Sequence, residues 1–132
     1  MPDFGIQKNT RKKKFKQKAQ ADGEVLLKSA IDYQMRGDLV SAEQNYREAI
    51  ESGYFHHSIF SNLGVICKNS GRSDEAIYLY KKAIELSPNH PDAYANLGNL
   101  YKDLGQLDQA LASTLKSLEL KPDNPTAHMN LG

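Results

Sequence analysis

An all-α solenoid of stacked antiparallel helix pairs is the fold class that this 132-residue chain predicts. Two observations carry it: small residues return at a constant step, and the apolar residues inside each step keep helical spacing. Gly37, Gly71 and Gly105 lie 34 residues apart (71 − 37 and 105 − 71), as do Ala42, Ala76 and Ala110. Ala30, Gly64, Gly98 and Gly132 keep the step, and so do Tyr33, Cys67 and Tyr101, then Ile50, Ile84 and Leu118. A unit of this length cannot bury its apolar face alone and gains stability by stacking on its neighbours. The units run 23–56, 57–90 and 91–124, and residues 125–132 restart a fourth.

Ahead of the repeats, residues 1–22 hold seven basic side chains against Asp3 and Asp22, a net of +5; the rest of the chain holds ten basic and fourteen acidic, a net of −4. The only large apolar residues in that stretch are Met1, Phe4, Ile6 and Phe15. They are too few to offset the entropy of ordering it, so 1–22 reads as a basic, flexible or marginally helical arm.

Each unit then reads as two helices. In unit three, Tyr94, Leu97, Leu100, Tyr101 and Leu104 share one face of a helix over 92–103. Gly105 ends it, since glycine takes the left-handed conformation beyond a helix C-terminus at little cost. A second helix over about 107–120 turns Ala110, Leu111, Thr114, Leu115 and Leu118 inward. Pro122 cannot continue it, and Asn124-Pro125 supplies a capping side chain and a proline suited to the first helical position of the next helix. Gly98 and Ala110 are small enough to let the two helices approach to about 8–10 Å. Tyr94, Leu97, Tyr101 and Thr114, with Phe60, Leu63, Cys67 and Tyr80 in unit two, fill the space beside that contact.

The pattern Leu97-Gly98-x-x-Tyr101, Gly105, Ala110, Pro122, matched in unit two by Leu63-Gly64, Gly71, Ala76, Tyr80, Ala83 and Pro88, resembles the tetratricopeptide repeat (TPR). Unit one departs from it, with Ser29 in place of the usual leucine and Tyr54 in the proline place. The resemblance implies a right-handed superhelix whose first helices line a concave groove with their places 2, 5, 6, 9, 12 and 13. It also implies a protein-interaction scaffold that takes a protein or an extended peptide in that groove. Asn62, Asn96 and Asn130 recur at place six, with Asn99 at place nine and Lys68 and Lys102 at place twelve. A primary amide offers donors and an acceptor that match a peptide backbone, so these six residues are the candidate peptide-binding set. The column resembles the asparagine ladder of the repeat arrays attached to O-linked N-acetylglucosamine transferases; a solvated family asparagine is the competing reading.

Members of the family that clamp a chaperone's C-terminal carboxylate use Lys and Asn at places 5 and 9, Asn at place 6 of the next unit, and Lys then Arg at places 2 and 6 of the third. Starting in unit one, those places hold Leu27, Ile31, Asn62, Asp92 and Asn96, of which only Asn62 fits, and Asp92 repels a carboxylate. Starting in unit two does no better, and the clamp is rejected. Leu27, Ile31 and Met35 make an apolar stripe on the inner face of unit one, open to a partner, covered by Phe15 or Phe4 of a folded-back arm, or simply core.

No catalytic chemistry is expected in this chain, and no cofactor or metal. His56 and His57 are adjacent, hence expected to point apart and to serve capping or structural roles with His90 and His128. Cys67 takes a core tyrosine place, and a single thiol excludes a disulfide framework. No stretch is apolar enough to span a membrane, which makes a cytoplasmic chain the default. For the run Arg11 to Lys18 a solvated terminus is the favoured reading, ahead of nucleic acid or an anionic surface. Gly132 falls within a helix pattern, so the chain is expected to be the leading piece of a longer polypeptide. Its layout resembles bacterial repeat proteins that continue into glycosyltransferase or sulfotransferase domains, and the alternative function is therefore a substrate-recruiting arm of such a transferase.

Overall fold

A computed structural model describes residues 4–132, with side chains from residue 9 onward; Phe4, one of the two residues expected to cover the unit-one stripe, lies outside the described side chains. All seven elements are α-helices: α1 (Phe4–Met35), α2 (Leu39–Glu51), α3 (His57–Asn69), α4 (Ser73–Leu86), α5 (Pro91–Asp103), α6 (Leu107–Leu120) and α7 (Pro125–Leu131). The chain divides into two compact units, the first ending at Phe55 and the second comprising His56–Gly132.

In the first unit α1 packs on α2. Of the two states expected for the arm, flexible or marginally helical, its described residues take the helical one: α1 runs 32 residues without a break at residue 22. Lys, Arg, Gln and Ala are good helix formers, and once a packed segment supplies the nucleus each added residue costs little. Gly23 does not interrupt α1; it is buried because the Tyr54 ring sits where a side chain would be. That contact also explains tyrosine in the proline place of this unit. Gly37, at φ 84°, ends α1. Asp38 caps α2 by accepting from the Ser41 N–H at 3.1 Å, and its bonds to Ser41, side chain first, hold its carboxyl below the usual carboxylate value. Ala30, Ala42, Tyr46 and Ala49 are fully buried between the helices, with the Tyr46 hydroxyl donating to Gln34 Oε1 at 2.6 Å.

In the second unit α3 pairs with α4 and α5 with α6, α4 stacks on α5, and α7 lies against both α5 and α6. Ile59, Phe60, Leu63 and Cys67 of α3 meet Ala76, Leu79, Tyr80 and Ala83 of α4, all buried, each large apolar side chain contributing about 1.5–3 kcal/mol by leaving water. A Cβ on Gly64 would meet the Tyr80 ring at 2.6 Å, and one on Gly98 would meet Thr114 Oγ1 at 2.5 Å. The close approach expected of these glycines is therefore real. Burial pushes the Tyr80 hydroxyl pKa up, with Cys67 adding to it. Of the α6 residues expected inside, Ala110 and Thr114 are buried, but Leu111 and Leu115 are about half exposed, at 50% and 51%. They lie off the side of α6 that faces α5 and α7, where Ala110, Thr114 and Ser117 form the contact. Leu104, placed on the buried face of α5, is the cap residue just past its end and is exposed.

Candidate peptide-binding face

The first helix of each pair in the second unit, α3, α5 and α7, lies beside the next, so residues 31 apart in sequence meet across them. Lys68 Nζ donates to Asn99 Oδ1 and stands 3.5 Å from Asp103 Oδ2. Asn99 Nδ2 donates to Asn130 Oδ1 at 3.3 Å, and Asn130 Nδ2 donates to the Ala95 carbonyl at 3.0 Å. These contacts make a polar seam, Lys68–Asn99–Asn130, that ties α3 to α5 and α5 to α7. The ion pair is partly exposed at both ends and adds little by itself.

The other two asparagines of the column differ. Asn62 and Asn96 are half-buried, and among the described residues their amides make no hydrogen bond within the protein. The reason lies 31 positions upstream: Asn130 is met by Asn99, whereas the residue in that relation to Asn96 is Val65, which has no polar group to offer. Lys102 is exposed and edges a shallow cleft of about 180 Å3 with Leu107, Leu111, Thr114, Asn130 and Leu131. Four of the six candidate residues are thus brought to one seam or its rim, and two present unengaged amides. The Ala95 carbonyl, 35 positions before Asn130, is a part of the seam that residue-type reasoning passed over.

In the first unit Leu27 and Ile31 are half-buried and Met35 is 82% exposed. Phe15 does not cover that stripe, since α1 runs straight on and cannot fold back. The histidines also depart from expectation. His56 precedes α3 in extended conformation (φ −113°, ψ 136°), so the rotation per residue of a helix does not apply, and its ring stacks on His57 at 4.5 Å instead of pointing away. His57 in turn lies 5.0 Å from the His90 ring. His56 Nδ1 accepts from the Ser58 N–H at 3.1 Å and so caps α3, and the His128 ring bonds the Pro122 carbonyl at 2.7 Å. Asn124 caps α7 as expected, accepting from the N–H groups of Thr126 and Ala127 while donating to Asp92 Oδ1 at 2.9 Å. Among the described residues no helix is long and apolar enough to cross a membrane.

Two family models match the sequence, TPR repeat over residues 64–105 and tetratricopeptide repeat over residues 91–124. Over residues 64–124 the chain carries tetratricopeptide repeats. Solved structures agree with this one over most of its length. An O-GlcNAc transferase of Thermobaculum terrenum is 27% identical over 86% of this chain, with a TM-score of 0.79; the chain spans 22% of that protein. MamA is 24% identical over 99% of this chain and 82% of its own, at a TM-score of 0.78. The first TPR of Spaghetti (RPAP3), solved with the HSP90 peptide SRMEEVD, is 20% identical over 85% of this chain and 89% of its own, at 0.79. No curated protein sequence matches the chain. At these identities the last two speak for the TPR fold alone.

Proposed function

We propose that the TPR face made by α3, α5 and α7 is a protein-interaction surface that holds an extended peptide backbone. The observation that carries this is the pair Asn62 and Asn96: amides repeated at a 34-residue step, half-buried, and not engaged among the described residues. A half-buried amide without a partner is costly to leave so, and a peptide N–H and C=O satisfy both of its halves. Lys68, Asn99 and Asn130 keep the helices in register beneath that peptide, and Lys102 stands at the rim. A peptide-array screen tests the reading. Asn62→Ala/Asn96→Ala is expected to weaken binding to selected peptides by about 10- to 30-fold, two hydrogen bonds of about 1 kcal/mol each, with the thermal midpoint hardly moved. Asn99→Ala/Asn130→Ala is expected to lower the midpoint instead, because those amides bond protein groups. Unchanged peptide binding by the first variant removes the amide mechanism.

A second reading, that the repeats recruit substrate for a larger transferase, is favoured by the 27% identity with part of an O-GlcNAc transferase. It requires a catalytic domain outside these residues and uses the same face.

A further inference from the structure

His56, His90 and Asn124 stand 34 residues apart, each just ahead of a first helix. His56 caps α3 through Nδ1, and Asn124 caps α7 while donating to Asp92 Oδ1 at 2.9 Å. His90 does neither. It makes no cap bond to α5, and its Nδ1 is buried with no hydrogen-bond partner among the described residues, a condition that asks for an explanation. Its ring neighbour is His57, 5.0 Å away and tilted by 51°, which is itself stacked on His56.

The parallel helices α3 and α5 are thus joined at both ends. At the C-terminal end Lys68 reaches Asn99 and Asp103; at the N-terminal end the contact is imidazole on imidazole. Histidine alone changes charge between pH 5 and 8 at its ordinary pKa, so only the second fastening responds to pH in that range. The next junction, α5 on α7, has Asn124 and Asp92 where this one has His90 and Ser58, and their bond involves no imidazole.

A proton on His57 puts a cation at the positive end of α3, beside the N-terminus of α5 and against two further imidazoles. His57 is held below its ordinary pKa by burial first, and then by His56 and His90. The charged groups that α4 and α5 carry toward this end do not offset it: Lys82 and Glu85 pair with each other at 3.4 Å, and Asp92 is held by Asn124. Parting the two rings relieves the repulsion. The 31- and 35-residue relations seen along the seam set Asn96 against Val65 and Ser61 of α3, so the Asn62 and Asn96 amides keep their spacing only while α3 and α5 stay together.

We propose that His57 and His90 form a pH-sensitive clasp: neutral, they hold Asn62 and Asn96 in register for a peptide, and protonated, they part the N-terminal ends of α3 and α5 and release it. The clasp rests on the peptide-binding reading of this face. Peptide affinity is full above about pH 6.5 and falls as the pH drops below it. The test is fluorescence anisotropy on the full chain, with a labelled, end-blocked peptide lacking Asp, Glu and His, selected from the array at pH 8. Between pH 8 and pH 5 the affinity is expected to fall at least about five-fold, and in His57→Gln/His90→Asn to change less than about two-fold. Adding Ser58→Asp to that variant copies the Asn124–Asp92 bond across this junction and is expected to keep the pH 8 affinity, so that a loss of folding is not mistaken for loss of the clasp. His128→Gln is expected to fall as the unaltered chain does. In the free protein, the Val65 and Asn96 amide resonances are expected to shift along the titration curve of the His57 ring. If Asn62→Ala/Asn96→Ala binds the peptide undiminished at pH 8, the reading of the face fails and the clasp with it. If that variant is weakened but the unaltered chain binds equally at pH 8 and pH 5, or the histidine variant falls as steeply, the clasp alone is overturned. Val65 and Asn96 amides that ignore the His57 titration overturn it without any peptide.

Discussion

The glycines of this chain look alike in the repeat and do opposite physical work. Gly98 lies where a methyl group would meet Thr114 Oγ1 at 2.5 Å and the Ala110 carbonyl at 3.2 Å, one of them backbone that cannot swing aside. Gly98→Ala gains about 1 kcal/mol of helix propensity but overpacks the α5–α6 contact, at a cost of about 1–3 kcal/mol. Urea denaturation is expected to show net destabilisation, with an increase in stability as the result that contradicts the packing argument. Gly105 has nothing within 4 Å, yet its φ of 75° makes Gly105→Ala costly by about 1 kcal/mol through backbone strain alone. The two variants separate by rescue: Thr114→Ala, which removes Oγ1, relieves the first and leaves the second unchanged. Both roles were legible from the repeat frame, because a glycine just past a helix end and a glycine inside a helical face admit different explanations. The role of Gly23 was not, since it depends on Tyr54, 31 residues away, filling the place a proline holds in the other units.

At the scale of elements, the ends of α5 and α6 follow the glycine, proline and asparagine punctuation nearly residue for residue, because those residues act through local backbone geometry. Contacts between elements were harder to read. A column of asparagines looks uniform along the sequence, yet Asn130 is engaged and Asn96 is not, a difference decided by whether Asn99 or Val65 stands across the helix junction. The junction of α3 and α5 carries a further consequence, in its three imidazoles. His57 is held below its ordinary pKa by burial first, and then by His56 and His90. The folded state therefore resists protonating it, while the unfolded chain accepts the proton near pH 6.5. Its contribution to stability is whole above that value, falls as the pH drops through the window between the unfolded and the lowered folded pKa, and levels off below. Urea midpoints measured from pH 8 to pH 5 are expected to decline below about 6.5, and to decline less in His57→Gln. An identical decline in that variant would place the effect on other groups.

For the whole molecule, charge and repeat divide the labour. The −4 of residues 23–132 is spread over the repeats, while the +5 of residues 1–22 is concentrated on the first half of α1. The places that clamp a chaperone tail hold Leu27, Ile31 and Asp92 instead of the required cations and amide, and Asp92 is held by Asn124. The peptide SRMEEVD is therefore expected to show no binding by titration calorimetry, despite the shared fold of the domain solved with it. Micromolar binding would mean that other residues supply the carboxylate site. The repeat class was legible because 34-residue periodicity survives in single residues; the continuity of α1 was not, because charge composition marks a boundary where the backbone has none. That continuity has a mechanical meaning. With no joint between the cations and Gly23, α1 behaves as a torsion shaft, and its azimuth at Phe15 is set by the seating of Tyr54 on Gly23. One residue inserted after Gln20 turns everything upstream by about 100° and carries it about 1.5 Å along the axis, swinging Phe15 and Lys16 away from the cleft they line with Phe55. Seven inserted residues bring the azimuth back to within about 20° but about 10 Å too far out. The number of residues between the aromatic ring and the buried glycine is thus a phase setting, one that tolerates substitution far better than it tolerates a change in length.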